Sequence, residues 1–252
     1  MTAFELTLVG GPWGRRLAPR RRWLDELPWD EALPRDDAAI RAVWTQTAFS
    51  EYASAAAFAA IAAALLAAGA PIDLTAAAGD FVVDEIVHTE AAARVAVALG
   101  GAVALDVDLG RLVRPPTSAE PLLRAAELIV RTSCVGEALT VPLLRLTREL
   151  AGSTLIAGVL AHVVADESSH AQLGGWFLDW AEPRLADGAR AHLGRVAGAA
   201  LRAFAPLLGG DCAVSGLGAV GCDRYDPAFT DAAARRVVQP LAARGITVTW
   251  AG

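Results

Sequence analysis

One short motif occurs twice in this chain, each time inside a long, alanine-rich apolar segment. Residues 84–88 read Asp-Glu-Ile-Val-His and residues 166–170 read Asp-Glu-Ser-Ser-His. Apolar segments of that length predict helices, and on a helix residues three apart share a face. Glu85 with His88, and Glu167 with His170, therefore each form a two-toothed clamp. Two further helix-like segments each place one glutamate among small or apolar residues: Glu51 in Phe-Ser-Glu-Tyr-Ala and Glu137 in Cys-Val-Gly-Glu-Ala-Leu. An unpaired carboxylate in such a setting is costly. Four glutamates and two histidines, distributed one-two-one-two over four helices, form the donor set of a carboxylate-bridged di-metal site in a bundle core.

The helix signals order the chain around this set. Asp36-Asp37 predict the start of a first long helix that ends at Gly69, and a second runs from about Asp73 to Leu99. A third opens at Ser118 and closes near Gly152, and Ser153 caps a fourth that ends near Pro183. A fifth covers Arg184 to about Leu208. A short helix at about Asp231 to Arg244 and a β-like tail, Ile246 to Trp250, complete the chain. The connection Ala102 to Thr117 is long. Antiparallel second and third helices would need only a short link, whereas parallel ones need a climb of about 49 Å. The connection reaches roughly 55 Å when extended. The expected fold is therefore all-α, a four-helix bundle with a long crossover between helices 2 and 3 and extra C-terminal helices. The alternating run Val-Ala-Leu-Asp-Val-Asp-Leu suits a strand-like strap laid along the bundle. The expected division is an N-terminal arm at 1–35, the di-metal bundle at 36–182 and a C-terminal helical extension packing on it at 183–252. The arm should pack through Trp13, Trp23 and Trp29.

Composition narrows the classes. The chain has 252 residues, 54% of them hydrophobic, with a mean hydropathy of +0.40. The cause is alanine. The apolar stretch Ala53 to Pro71 is nearly long enough to span a bilayer, but Glu51 stands at its mouth and a buried bundle helix is expected. Net charge is −6 and every one of the 22 basic residues is arginine. The cluster Arg15-Arg16 and Arg20-Arg21-Arg22 reads as a salt-bridging segment, and neither a nucleic acid nor a membrane is expected as partner. Cys134, Cys212 and Cys222 contain no CxxC pair, which excludes a zinc knuckle or a rubredoxin-type iron site. The N-terminus Met-Thr-Ala-Phe-Glu lacks the features of a signal peptide, so a cytoplasmic location with free cysteines is expected.

Iron and manganese favour carboxylate oxygen with imidazole. The expected roles are Glu85 and Glu137 as bridges, Glu51 and Glu167 as terminal carboxylates, and His88 and His170 as one imidazole per metal. A ligating histidine donates its other ring N–H to a carboxylate or carbonyl. The two matched aspartates predict a cross-brace in which Asp84 orients His170 and Asp166 orients His88. Cys134, one turn before Glu137, and His162, four residues before Asp166, are candidates for positions near the site, with a core thiol and an ordinary helix histidine as their alternatives. Trp44 and Glu90 read as core packing and surface salt bridging, and His192 as a surface or interface residue.

The order Glu, Glu-x-x-His, Glu, Glu-x-x-His at Glu51, Glu85/His88, Glu137 and Glu167/His170 resembles the ferritin-like superfamily of di-iron carboxylate proteins over about residues 36–182. The phrases Cys-Val-Gly-Glu-Ala-Leu and Asp-Glu-Ser-Ser-His-Ala are similar to uncharacterised bacterial ferritin-like proteins. The resemblance implies two iron ions, or a manganese–iron pair. Within it, His170 points away from iron-storage ferritins, and the missing CxxC domain points away from rubrerythrins. Ala92 stands where ribonucleotide reductase small subunits carry a radical tyrosine. Val163 stands where p-aminobenzoate-type N-oxygenases carry a third histidine, with His162 one residue off.

The resulting expectation is a di-iron oxidase or oxygenase that uses O2 or peroxide to oxidise a small organic substrate, with an external electron donor and a homodimeric assembly. Ser54, Ala55, Ser133 and Thr140, near the ligands, would leave room for that substrate. The alternative is a ferroxidase or peroxide-scavenging iron protein without an organic substrate.

Overall fold

A computed structural model describes residues 1–204 and 216–250, apart from the side chain of Trp13. It is all-helical, with one two-stranded pairing. The arm is partly helical: α1 occupies Gly11–Asp25. Leu24 is buried and Trp29 donates to the Leu24 carbonyl. The expectation for Trp13 concerns a side chain outside the described residues.

The four long segments fall close to their expected limits because their ends carry the expected caps. α2 spans Ala38–Ala67, and the Asp37 carboxylate accepts from the N–H groups of Ala39 and Ile40. Helix α3 spans Ile72–Ala98. Beyond it Gly100 adopts φ 109°, where a Cβ would lie 2.7 Å from the Arg35 carbonyl oxygen. α6 spans Thr154–Ala181, capped by Ser153, which accepts from Ile156 N–H.

The third segment departs from expectation. It is built as α4 (Pro121–Ile129), a π-helical stretch (Val130–Glu137) and α5 (Ala138–Glu149). Pro142 lies in the following turn, where it cannot donate to the carbonyl four residues back. π-Helical turns are rare, and many mark functional positions. This one ends on Glu137.

α2 packs on α3 and α4, and α6 packs on α3, α4, α5 and the π stretch. Two apolar clusters result. One holds Phe58, Phe81, Leu139, Leu173 and Phe177, and the other Trp44, Ala48, Val87, Val95 and Val159. Glu51 and Glu85 fall in sequence where membership passes from one cluster to the other. α2 is long and apolar enough to cross a membrane, but the expectation of a buried helix holds for one face only. Trp44, Ala55, Phe58, Ile61 and Leu65 are buried, while Ala59, Ala63 and Leu66 are exposed.

The strap forms as expected: β2 (Asp106–Val107) pairs antiparallel with β1 (Thr2–Ala3). α7 covers Ala189–Phe204. The last helical unit begins earlier than Asp231, as α8 (Cys222–Ala232), a second π stretch (Ala233–Val238) and α9 (Gln239–Ala242). The tail from Ile246 to Trp250, expected to be β-like, forms no strand. It lies instead across Gly194 and Gly198 of α7, where a Cβ would strike the carbonyl oxygens of Thr247 and Thr249. Cys222 is disulfide-bonded, which corrects the expectation of free thiols; Cys212 lies outside the described residues.

Candidate metal centre

The six predicted donors come together. Glu51 from α2, Glu85 and His88 from α3, Glu137 from the π stretch, and Glu167 and His170 from α6 form two overlapping groups. One is Glu51, Glu85, His88 and Glu167, and the other is Glu85, Glu137, Glu167 and His170; within each, the donor atoms lie within 4.8 Å of one another. Glu85 and Glu167 belong to both groups, and Glu51, His88, Glu137 and His170 to one each. Glu167 Oε1 lies 3.2 Å from His88 Nδ1 and its Oε2 lies 2.9 Å from His170 Nδ1, so one carboxylate spans both histidines. Glu85 does the same from α3, with Oε1 3.1 Å from His170 Nδ1 and Oε2 3.8 Å from His88 Nδ1.

The cross-brace is present. His88 Nε2 lies 3.2 Å from Asp166 Oδ2, and His170 Nε2 lies 3.5 Å from Asp84 Oδ2. Each histidine thus turns Nε2 towards the aspartate of the opposite helix and Nδ1 towards the glutamates. α1 adds a further layer. Arg20 donates to Asp84 at 2.9 Å and also pairs with Asp80, while Arg21 and Arg94 hold Glu90. The basic cluster is therefore a salt-bridging segment that backs α3, and Glu90 belongs to it rather than to the site.

The electrostatics show what the cluster lacks. Burial, followed by the charges of Glu85 and Glu167, pushes the Glu51 carboxyl well above the ordinary 4.5. Burial, then Glu167 and Glu85, does the same to Glu137. For His88 and His170 burial disfavours the charged ring, but contacts with the facing aspartate, Glu167 and Glu85 outweigh it. His88 is held well above 6.5 and His170 is raised to about 12. Glu167 is shifted the other way: burial opposes ionisation, yet both imidazoles hold it below its ordinary range. Protons and imidazolium charge compensate the carboxylates in this state. Both Glu85 oxygens and His88 Nδ1 are buried without a hydrogen-bond partner among the described residues. Hard oxygen donors with imidazole, orphaned and crowded in this way, fit one or more metal cations. Phe58 and Phe81 pack their rings 5.1 and 4.3 Å from that of His170 and close one wall against water.

A cavity of about 620 Å³ adjoins the cluster, and Glu51, Glu137 and Glu167 form part of its wall. Ser54 and Thr140 line it as expected, whereas Ala55 and Ser133 are buried in packing. A second, small cavity of about 70 Å³ lies against Glu51 and His88 and is lined by Trp44, Ala92 and Val163. Trp44 is a buried core residue whose indole N–H donates to the Leu217 carbonyl at 2.7 Å.

Two candidates for near-site positions fall elsewhere. His162 is exposed and stacks on Trp23 with centroids 4.5 Å apart, because its place on α6 turns it towards α1. Cys134 faces Gly174 and lines a different pocket with Arg244, and burial raises its thiol to about 12. Conversely, three groups not assigned to the site from sequence line the large cavity: Glu127, Arg131 and His192. His192 Nε2 lies 2.9 Å from the fully buried Glu127 carboxylate, and the His192 ring itself is only partly exposed. The only sequence hint was Glu127 itself, a carboxylate within the apolar run Arg-Ala-Ala-Glu-Leu-Ile-Val.

Comparison with protein families, with curated proteins and with solved structures finds no match to this chain.

Proposed function

We propose that this chain is an oxidase or oxygenase in which Glu51, Glu85, His88, Glu137, Glu167 and His170 hold two metal ions, and a small organic molecule is oxidised in the adjoining cavity by O2 or peroxide. In this reading α2, α3, the α4–π–α5 segment and α6 form a four-helix bundle of ferritin-like topology. The pairing of α2 with α3 and α4, and of α6 with α3 and α5, supports it, as does the long connection between α3 and α4. The cavity of about 620 Å³ walled by three of the six donors carries the reading. A site that only handled iron has no use for an organic-sized chamber, and volumes of this order are those of small-molecule pockets.

A bound iron pair, or manganese with iron, supplies the redox equivalents that no side chain here offers. The chain supplies the rest. Asp166 accepts from His88 Nε2 at 3.2 Å and Asp84 faces His170 Nε2 at 3.5 Å, which keeps each ring turned with Nδ1 towards the glutamates. Four carboxylates offset the charge of two divalent ions, so the buried charges are compensated. Phe58 and Phe81 exclude water behind His170, and Ser54 and Thr140 offer hydroxyls on the cavity side.

Anaerobic titration with Fe(II), followed by O2 uptake and metal analysis, tests the reading. It predicts saturation at two irons per chain and O2 consumption that stops there unless a reductant or organic substrate is added. Progressive uptake of iron far beyond that stoichiometry would replace it with the ferroxidase alternative, and no iron binding would remove both.

A further inference from the structure

The large cavity is lined by acids and bases together. Glu51, Glu137 and Glu167 form part of its wall. So do Arg114 from the connection between α3 and α4, Arg131 from the π stretch and Arg195 from α7. No carboxylate among the described residues lies within ion-pair distance of any of these three guanidiniums. Arg131 donates to the Arg114 carbonyl at 2.5 Å, and Arg195 to the Ala191 carbonyl. The one acid nearby, Glu127, is already committed. It accepts from the N–H groups of Thr117 and Ser118, from the Thr117 hydroxyl and from His192. Arg131 is half-buried; burial and the charge of Arg114 destabilise its cation, and the charge of Glu127 offsets them only in part. A half-buried guanidinium with no carboxylate at ion-pair distance is a binding group for an anion.

Much of the remaining wall is small and apolar. α7 contributes Val196, Ala199, Ala200 and Ala203, and α2 contributes Ala53 and Ala57. Arg131 precedes Glu137 by six residues on the same helical segment, no more than about 9 Å along its axis. The distance suits a compact molecule that touches both groups.

We propose that the cavity takes a small organic acid, its carboxylate held by Arg131 and Arg195, its short apolar body against α7 and its far end against Glu51, Glu137 and Glu167. This inference rests on the reading of the cavity as the substrate chamber and names the substrate class.

Calorimetric titration of the full-length protein with benzoate, hexanoate, benzamide and inorganic phosphate tests it, with metal content and melting temperature measured for every variant. The expected result is binding of at least one of the two carboxylates, about 10-fold or more tighter than benzamide and phosphate. R131Q and R195Q should each weaken carboxylate binding about 10- to 100-fold while leaving benzamide unchanged. Arg195 is exposed, so R195Q keeps the test decisive if R131Q does not fold. Binding of benzamide or phosphate as tight as that of the carboxylates, carboxylate binding indifferent to both substitutions, or no carboxylate binding at all would overturn the proposal. No turnover is needed. A chain with arginine-dependent binding and no O2 chemistry rejects the oxidase reading alone, and the reverse pattern rejects this inference alone.

Discussion

His88 and Asp166 face each other across α3 and α6, with Nε2 of the ring 3.2 Å from Oδ2 of the carboxylate. His170 and Asp84 repeat the relationship in the other direction at 3.5 Å. The aspartates face the Nε2 side of each ring and leave Nδ1 to the glutamates. Their removal should weaken metal binding without unfolding the chain. D166N and D84N are expected to lose about 10- to 100-fold in metal affinity, measured by competition with a chelator, with helical circular dichroism retained. R20Q should lose less than D84N, since Arg20 is partly exposed and acts only through Asp84.

Glu137 is buried beside two other glutamates and its carboxyl is held well above its ordinary range. E137A should abolish binding at one of the two metal positions, read as a halved metal content. In the metal-free protein it should leave the melting temperature equal or higher, because it removes a buried acid that lacks a cation. Unchanged metal content would remove Glu137 from the site.

The site links stability to pH. His170 is raised to about 12 from an ordinary 6.5, so its contribution is complete below pH 6.5 and is lost as pH climbs towards the raised value. Glu51 and Glu137, also raised, act in the same sense from 4.5 upward. Glu167 is lowered, so its contribution is present above pH 4.5 and is lost in acid. The metal-free protein should therefore melt earlier at roughly pH 9 than at roughly pH 6. Metal ions displace the same protons, so metal affinity rises with pH and the alkaline loss of stability shrinks in the loaded protein. Calorimetry in two buffers of different ionisation enthalpy counts the released protons, and a count of zero would contradict the charge state described.

The C-terminal tail depends on two glycines. A Cβ at Gly194 would meet the Thr247 carbonyl oxygen, and one at Gly198 that of Thr249. G194A should destabilise the protein by about 1–3 kcal/mol in chemical denaturation. G14A on α1, where a Cβ meets nothing within 4 Å, serves as the control and should not.

The six donors, the cross-brace and the limits of α2, α3 and α6 were legible because each depends on local periodicity and on caps such as Asp37 and Ser153. What was not legible depends on tertiary contact. The π stretch at Val130–Glu137 shifts Glu137 by a change in turn size that no residue there dictates by itself. The double membership of Glu167 follows from where α3 places His88. The pairing of Glu127 with His192 needs α7 to close over α4, and residues 65 apart give no periodic signal of that closure.

In the proposed site two metal ions sit between Glu85 and Glu167. A crystal of the iron-loaded protein measured at the iron absorption edge tests it directly. The account predicts two anomalous peaks, both contacted by Glu85 and Glu167, one also by Glu51 and His88 Nδ1 and the other by Glu137 and His170 Nδ1. A single peak, no peak, or ligation through Nε2 with the aspartates displaced would contradict it.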